Sequence, residues 1–224
     1  SLGEYAALVA AGALSLADGV RLAADRARFM QEAVPAGEGA MAAVLGLDDA
    51  QVSALCAEQA RGEVLEAVNF NAPGQVVIAG TAAAVGRAVE ASKAAGAKRA
   101  LVLPVSVPSH CALMCPAAER LAARLAEVDL RIPLTPVLHN VDVTAADDPA
   151  GIRERLVAQL YRPVRWVETV QAVGETGITL GLECGPGKVI TGLNKRIDKN
   201  LTTLPVFDPE SLGKALEAVN HARG

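Results

Sequence analysis

Aromatic residues make up only 3% of this 224-residue chain, although 51% of its residues are hydrophobic. Its core is therefore expected to be built from Ala, Val and Leu rather than around large rings. Cysteine is scarce as well. Cys56, Cys111, Cys115 and Cys184 form no CxxC pair and no zinc spacing, so reduced thiols of a cytoplasmic protein are expected. No apolar run reaches the roughly 18 residues that a membrane span needs. Basic excess is missing too: the net charge is −4, whereas a nucleic-acid binder needs a concentrated basic surface to meet phosphates. No signal-peptide pattern, internal repeat or low-complexity tract is visible. What is present is enough chain to bury a sizeable core, as one domain with an inserted subdomain or as two small domains.

The chain opens on SLGEYAALVAAG, where Ser1 and Glu4 have the spacing of a capping box and Gly12 is placed to end a first helix. Ser15 to Asp18 starts a second helix that runs to about Met30. After Pro35, Gly37 and Gly39 the pattern changes. Residues 40–47 read as a strand, 48–60 as a helix, 64–70 and 75–80 as strands around a turn at 71–74, 82–95 as a helix, and 99–105 as a strand. That β-α-β-β-α-β order is ferredoxin-like and marks residues 36–106 as a self-contained subdomain. Beyond it the spacing predicts a helix over 111–126, a strand over 136–143, helices over 150–160 and from Pro163, a strand over 178–184, a helix over 189–197, a strand over 201–207 and a last helix from Pro209. Apolar strands alternating with helices imply an α/β fold whose parallel sheet is covered on both faces.

Ser1 has three readings: a helix cap, an N-terminal nucleophile, or the nucleophile of a strand-to-helix elbow of the G-x-S-x-G kind. In the elbow, Gly3 is the second glycine and the Leu2 N–H an oxyanion donor. Of the three histidines, His221 is expected in solvent and His139 in a packed strand. His110 is the candidate base: it follows Val107-Pro108-Ser109, directly after the subdomain and just before a helix, on the kind of rigid loop that positions catalytic groups. A buried structural histidine remains the alternative.

Other signals are weaker. GPGKVIT (185–191) fails the phosphate-loop pattern because Leu182 stands where its first glycine belongs. Cys111 and Cys115, spaced i and i+4 beside His110, lack an evident further ligand for a metal, so none is expected. Lys188, Lys195, Arg196 and Lys199 give their segment a basic face, ordinarily solvated surface but able to dock an acidic partner.

Five segments taken together, SLGEYAALVAAG, FMQEAVPAGEGAMAAVLGL, NFNAPGQVVIAG, LPVSVPSHCALM and ECGPGKVITGLNKRI, resemble the malonyl-CoA:acyl carrier protein transacylases of bacterial type II fatty acid synthesis. The resemblance runs over essentially the whole chain. It implies an α/β-hydrolase-like core, residues 1–35 and 107–224, interrupted by the ferredoxin-like subdomain at 36–106. By the same resemblance Ser1 matches the nucleophile of GHSLGEY and His110 the base of PSH. Arg26 matches the arginine that grips the malonyl carboxylate, a task suited to a guanidinium fork. Gln159 matches a glutamine whose backbone carbonyl orients the histidine. Arg21 and Arg28 are expected at the surface.

The implied reaction is ping-pong acyl transfer through a malonyl-serine ester, with malonyl-CoA and acyl carrier protein as partners and no metal or redox cofactor. A cytoplasmic monomer is expected. The family also carries an N-terminal segment with the Gly-His of its motif and a Gly-Gln oxyanion donor, so the chain is expected to be part of a longer protein. Three alternatives stand beside this reading. They are an acyltransferase domain of a modular polyketide synthase, a truncated inactive piece that keeps only carrier binding, and an N-terminal nucleophile hydrolase.

Overall fold

In a computed structural model, residues 1–223 of the chain are described. They form two compact units, residues 1–70 with 74–165, and residues 71–73 with those from 166 onward. None of the described helices is long and apolar enough to cross a membrane.

The first unit begins with α1 (Gly3–Ala10) and α2 (Leu16–Ala33). The capping box expected at Ser1 does not form. Leu2 is the N-cap, no side chain caps it, and the Glu4 N–H donates to the Ser1 carbonyl at 3.2 Å. Because the Glu4 N–H is spent on that carbonyl, the Ser1 hydroxyl has no capping duty. Ser15 does cap α2, accepting from the Asp18 N–H at 3.0 Å.

Next come β1 (Gly39–Leu45), α3 (Asp49–Ala60), β2 (Leu65–Ala72), β3 (Gln75–Thr81), α4 (Ala82–Ala94) and β4 (Arg99–Val102). They build a four-stranded sheet in the order β2-β3-β1-β4, with β1 antiparallel to both β3 and β4. This is the ferredoxin-like arrangement. Alternation along the strands sends side chains to two cores. Ala42, Val44, Val76 and Ile78 pack with α3 and α4, while Met41, Val77 and Ala79 pack with Val68 and Cys111 on the other face. Burying each of the larger aliphatic side chains contributes about 1.5–3 kcal/mol. Gly80 sits where a Cβ would come within 2.0 Å of the Val64 carbonyl, so only glycine fits there.

The expected helix over 111–126 divides. A single 3₁₀ turn covers Ala112–Met114, and α5 (Cys115–Ala126) follows with Pro116 in its first turn. α6 (Pro149–Ala158) completes the unit. Its helical core joins Leu8, Leu22, Met114, Leu121, Leu125, Ile152, Leu156 and Leu160, with α1, α2, α5 and α6 contributing. The strand expected over 136–143 is not formed. Residues there fold into a tight loop closed by an isolated Leu138–Ala145 bridge, with Val143 at a φ of 62°. Bonds from His139 N–H to Thr144 and from Val143 N–H to His139 consume the backbone groups a strand partner would need.

The second unit holds α7 (Trp166–Glu175), β5 (Leu180–Cys184), α8 (Val189–Ile197), β6 (Thr202–Val206) and α9 (Pro209–Arg223). β5 and β6 pair in parallel. The glycine-rich turn before α8 has its helix N-terminus filled from within. Glu183 accepts from the Ile190 and Thr191 N–H groups at 2.9 and 2.7 Å and from the Thr191 hydroxyl at 2.6 Å. A carboxylate of the chain thus takes the place where an anion would bind.

Candidate active site

Ser1, Leu2, Arg26, His110 and Gln159 all lie in the first unit. Ser1 is exposed and stands one residue ahead of the N-cap of α1, so its hydroxyl sits beside the positive end of the helix. Leu2 follows it, 55% exposed, among the first N–H groups that an α-helix leaves unpartnered.

His110 is buried, with a backbone φ of 68° that few non-glycine residues adopt. Two bonds hold it there. Its N–H donates to the Leu160 carbonyl at 2.9 Å, and its ring Nδ1 lies 2.7 Å from the Gln159 carbonyl oxygen. A carbonyl can only accept, so Nδ1 carries the hydrogen and Nε2 is left with a free lone pair. Both carbonyls belong to the end of α6, where backbone acceptors are otherwise orphaned. Burial pushes the imidazole down to about 4, opposed by the bond to Gln159 and assisted by neighbouring positive charge, Arg26 included. The ring is therefore neutral and able to accept a proton across the ordinary pH range.

Arg26 projects from α2 and is 7% exposed. Its Nη2 donates to the Gln159 side-chain oxygen at 3.1 Å and lies 3.4 Å from Ser1 Oγ. Its Nε is buried without a partner, and its guanidinium sits 6.0 Å from the centre of the Tyr5 ring. Burial lowers its hold on its proton, countered chiefly by Tyr5 and Glu4. Both hydrogen-bond acceptors are neutral, so the cation has no ion-pair partner among the described residues. Arg21 and Arg28, on the same helix, pair instead with Asp18 and Asp25 at the surface.

Gln159 is fully buried and joins the others. Besides its carbonyl on His110 and its Oε1 on Arg26, its Nε2 donates to the Ser1 carbonyl at 3.2 Å. Sequence reasoning assigned Gln159 its backbone role alone. The side-chain role was missed because nothing in the local pattern of α6 shows which way a glutamine at its C-cap will turn. No hydrogen bond links Ser1 Oγ to His110 among the described residues.

His139 is also buried, but not in a strand. Its Nδ1 lies 2.7 Å from Glu4 Oε1, and Glu4 Oε2 accepts from the Asn140 N–H at 3.2 Å. No sequence signal pointed to this pair, because its members are far apart in the chain. Cys111 is buried with its thiol toward the Pro108 carbonyl, whereas Cys115 is exposed. No three metal-ligating side chains cluster among the described residues.

A profile of the acyl transferase domain matches residues 1–207. The chain is 56% identical over 216 residues to the malonyl CoA-acyl carrier protein transacylase of Salmonella typhimurium, covering 96% of this chain and 70% of that protein. Among solved structures, the acyl-carrier-protein S-malonyltransferase of Burkholderia pseudomallei 1710b is 55% identical with a TM-score of 0.94, over 96% of this chain and 70% of that one. A malonyl-transacylase solved in complex with a type II polyketide acyl-carrier protein is 52% identical with a TM-score of 0.94, over the same 96% and 70%.

Proposed function

Because the chain belongs to the acyl transferase domain family, we propose a division of labour among its buried polar groups for one reaction. That reaction is the transfer of a malonyl group from coenzyme A to acyl carrier protein in fatty acid synthesis, the transfer for which its relatives are named. An acyltransferase domain of a modular polyketide synthase is the disfavoured alternative.

Ser1 Oγ attacks the thioester carbon while His110 Nε2 takes its proton. The oxyanion that develops lies at the N-terminus of α1, where the Leu2 N–H is the donor assigned to it. Collapse breaks the carbon–sulfur bond, the proton passes from His110 to the departing coenzyme A sulfur, and a malonyl-serine ester remains. The carrier's phosphopantetheine thiol then attacks that ester. His110 takes the thiol proton and returns it to Ser1 Oγ. Every proton is accounted for within this cycle, and it calls for no metal or redox cofactor.

Arg26 receives the free carboxylate of the malonyl group. The observation that carries this reading is its buried cation, held by two neutral oxygens next to the nucleophile with Nε still unpaired. A carboxylate satisfies such a group and an acetyl group cannot. All the assigned groups come from one chain, so a monomer suffices. Residues 36–106 are read as the inserted subdomain, and the cytoplasm as the compartment in keeping with free thiols.

Peptide mapping after brief exposure to malonyl-CoA tests the reading. One malonyl ester on the peptide containing Ser1, lost in Ser1→Ala, is the expected result. An adduct elsewhere, or none in a protein shown to be folded, contradicts it.

A further inference from the structure

Glu4 presents a problem that the reaction itself does not explain. The Glu4 carboxylate is buried in the first turn of α1, between Ser1, whose Oγ lies 3.4 Å from Arg26 Nη2, and Tyr5, whose ring centre lies 6.0 Å from the Arg26 guanidinium. A buried carboxylate and guanidinium ordinarily close into a fork of hydrogen bonds, because attraction between unlike charges grows as water is excluded. Yet Arg26 and Glu4 form no ion pair among the described residues. Both carboxylate oxygens are instead held by the 138–145 loop, Oε1 by His139 Nδ1 at 2.7 Å and Oε2 by the Asn140 N–H at 3.2 Å.

That loop is itself fixed. His139 N–H is tied to the Thr144 carbonyl at 2.9 Å, and the Asn140 carbonyl accepts from the Arg165 N–H at 2.9 Å. The loop's two donors therefore point at one spot, and Glu4 fills it. Were Glu4 released, the Arg26 cation beside the same turn, with its Nε unpartnered, would be open to it. A carboxylate of the protein seated on Arg26 would occupy the place of the substrate's own.

We propose that His139, with the Asn140 backbone, is a positioning group that restrains Glu4 and so keeps the Arg26 guanidinium open for the malonyl carboxylate. This rests on the reading of Arg26 given above. The 138–145 loop thereby sets acyl specificity without touching the substrate.

The test compares kcat/KM for malonyl-CoA and acetyl-CoA in acyl-serine formation by the protein and four variants. Arg26→Ala lowers the malonyl-to-acetyl ratio if the carboxylate assignment is right. His139→Phe, which keeps a ring but no donor, is expected to lower the ratio about tenfold, the equivalent of 1.4 kcal/mol of competition, through KM for malonyl-CoA. His139→Asn, whose amide offers a donor near the position of Nδ1, should keep the native ratio. Glu4→Gln combined with His139→Phe should regain it, because the competing charge is gone. A merely structural role for His139 does not predict that recovery.

A native ratio in His139→Phe, beside a lowered one in Arg26→Ala, overturns the restraint. So does a double variant that is folded but remains as poor as the single. A ratio unchanged in Arg26→Ala overturns the carboxylate assignment instead. If His139→Phe does not fold, His139→Leu takes its place with the same expectations.

Discussion

Two buried histidines in the first unit bind through the same ring atom at the same distance, and their partners give them different work. His110 meets a main-chain carbonyl, His139 a carboxylate, each at 2.7 Å. A carbonyl fixes the tautomer, adds no charge and leaves Nε2 basic, as proton transfer requires. The Glu4 carboxylate also accepts from Nδ1, and that bond joins two pieces of chain, the start of α1 and the 138–145 loop. Burial is common to both, so burial alone does not mark a catalytic histidine. What sets His110 apart is its seat on Gln159, which also reaches Arg26 and Ser1, together with the strained backbone that turns His110 toward the end of α6.

The largest expected effect separates the two rings by removal. His110→Ala should slow acyl-serine formation by about 10²–10⁴-fold, the range for losing a general base, measured by single-turnover quench. An equal loss with acetyl-CoA and malonyl-CoA is expected, in contrast to the selective loss assigned to His139→Phe. A near-native rate in His110→Ala would erase the distinction.

Gln159→Ala is the next sharpest. The main-chain carbonyl that orients His110 survives the substitution, whereas the contacts to Arg26 and to the Ser1 carbonyl are lost. Losing a hydrogen bond to a charged group costs about 1.5–3 kcal/mol, so KM for malonyl-CoA should rise at least about tenfold while kcat changes less. Steady-state kinetics would show a fall confined to kcat if the side chain served the base instead.

The smallest effect is one of pH. Because burial holds His110 down to about 4, the base is neutral well below the ordinary histidine range. The kcat/KM profile for acyl-serine formation should therefore stay level through pH 6.5 and fall only toward 4. For stability the sign is the same. The unfolded chain binds the His110 proton more readily than the folded one, so this contribution is intact above the ordinary value near 6.5 and fades as the pH drops toward 4. A limb centred near 6.5 would mean that water reaches the ring.

The ferredoxin-like region was legible element by element, although its last strand, expected over 99–105, ends at Val102. Its elements follow the β-α-β-β-α-β order read from the sequence, its helices are capped by Asp48 and Thr81, and Gly74 and Gly96 sit at positive φ where turns were read. Local rules suffice there because each element's partner lies close by in the chain. The 136–143 stretch defeated the same rules. Its apolar residues promised a strand, but strand formation depends on a neighbour that local pattern cannot supply, and the segment's hydrogen bonds turn back on themselves instead.

The site divides along the same line. Ser1 and His110 could be named from their settings, and Arg26 and the Gln159 carbonyl from resemblance. The amino-acid sequence by itself determined the order of elements, the apolar faces and the chemistry available, since these follow from side-chain type and spacing. Only the tertiary structure decided that Gln159 serves three groups at once, and that Glu4 is held by His139 and Asn140 rather than left to Arg26. Those choices depend on which buried donors and acceptors come within about 3 Å of one another, a distance set by packing between elements far apart in the chain.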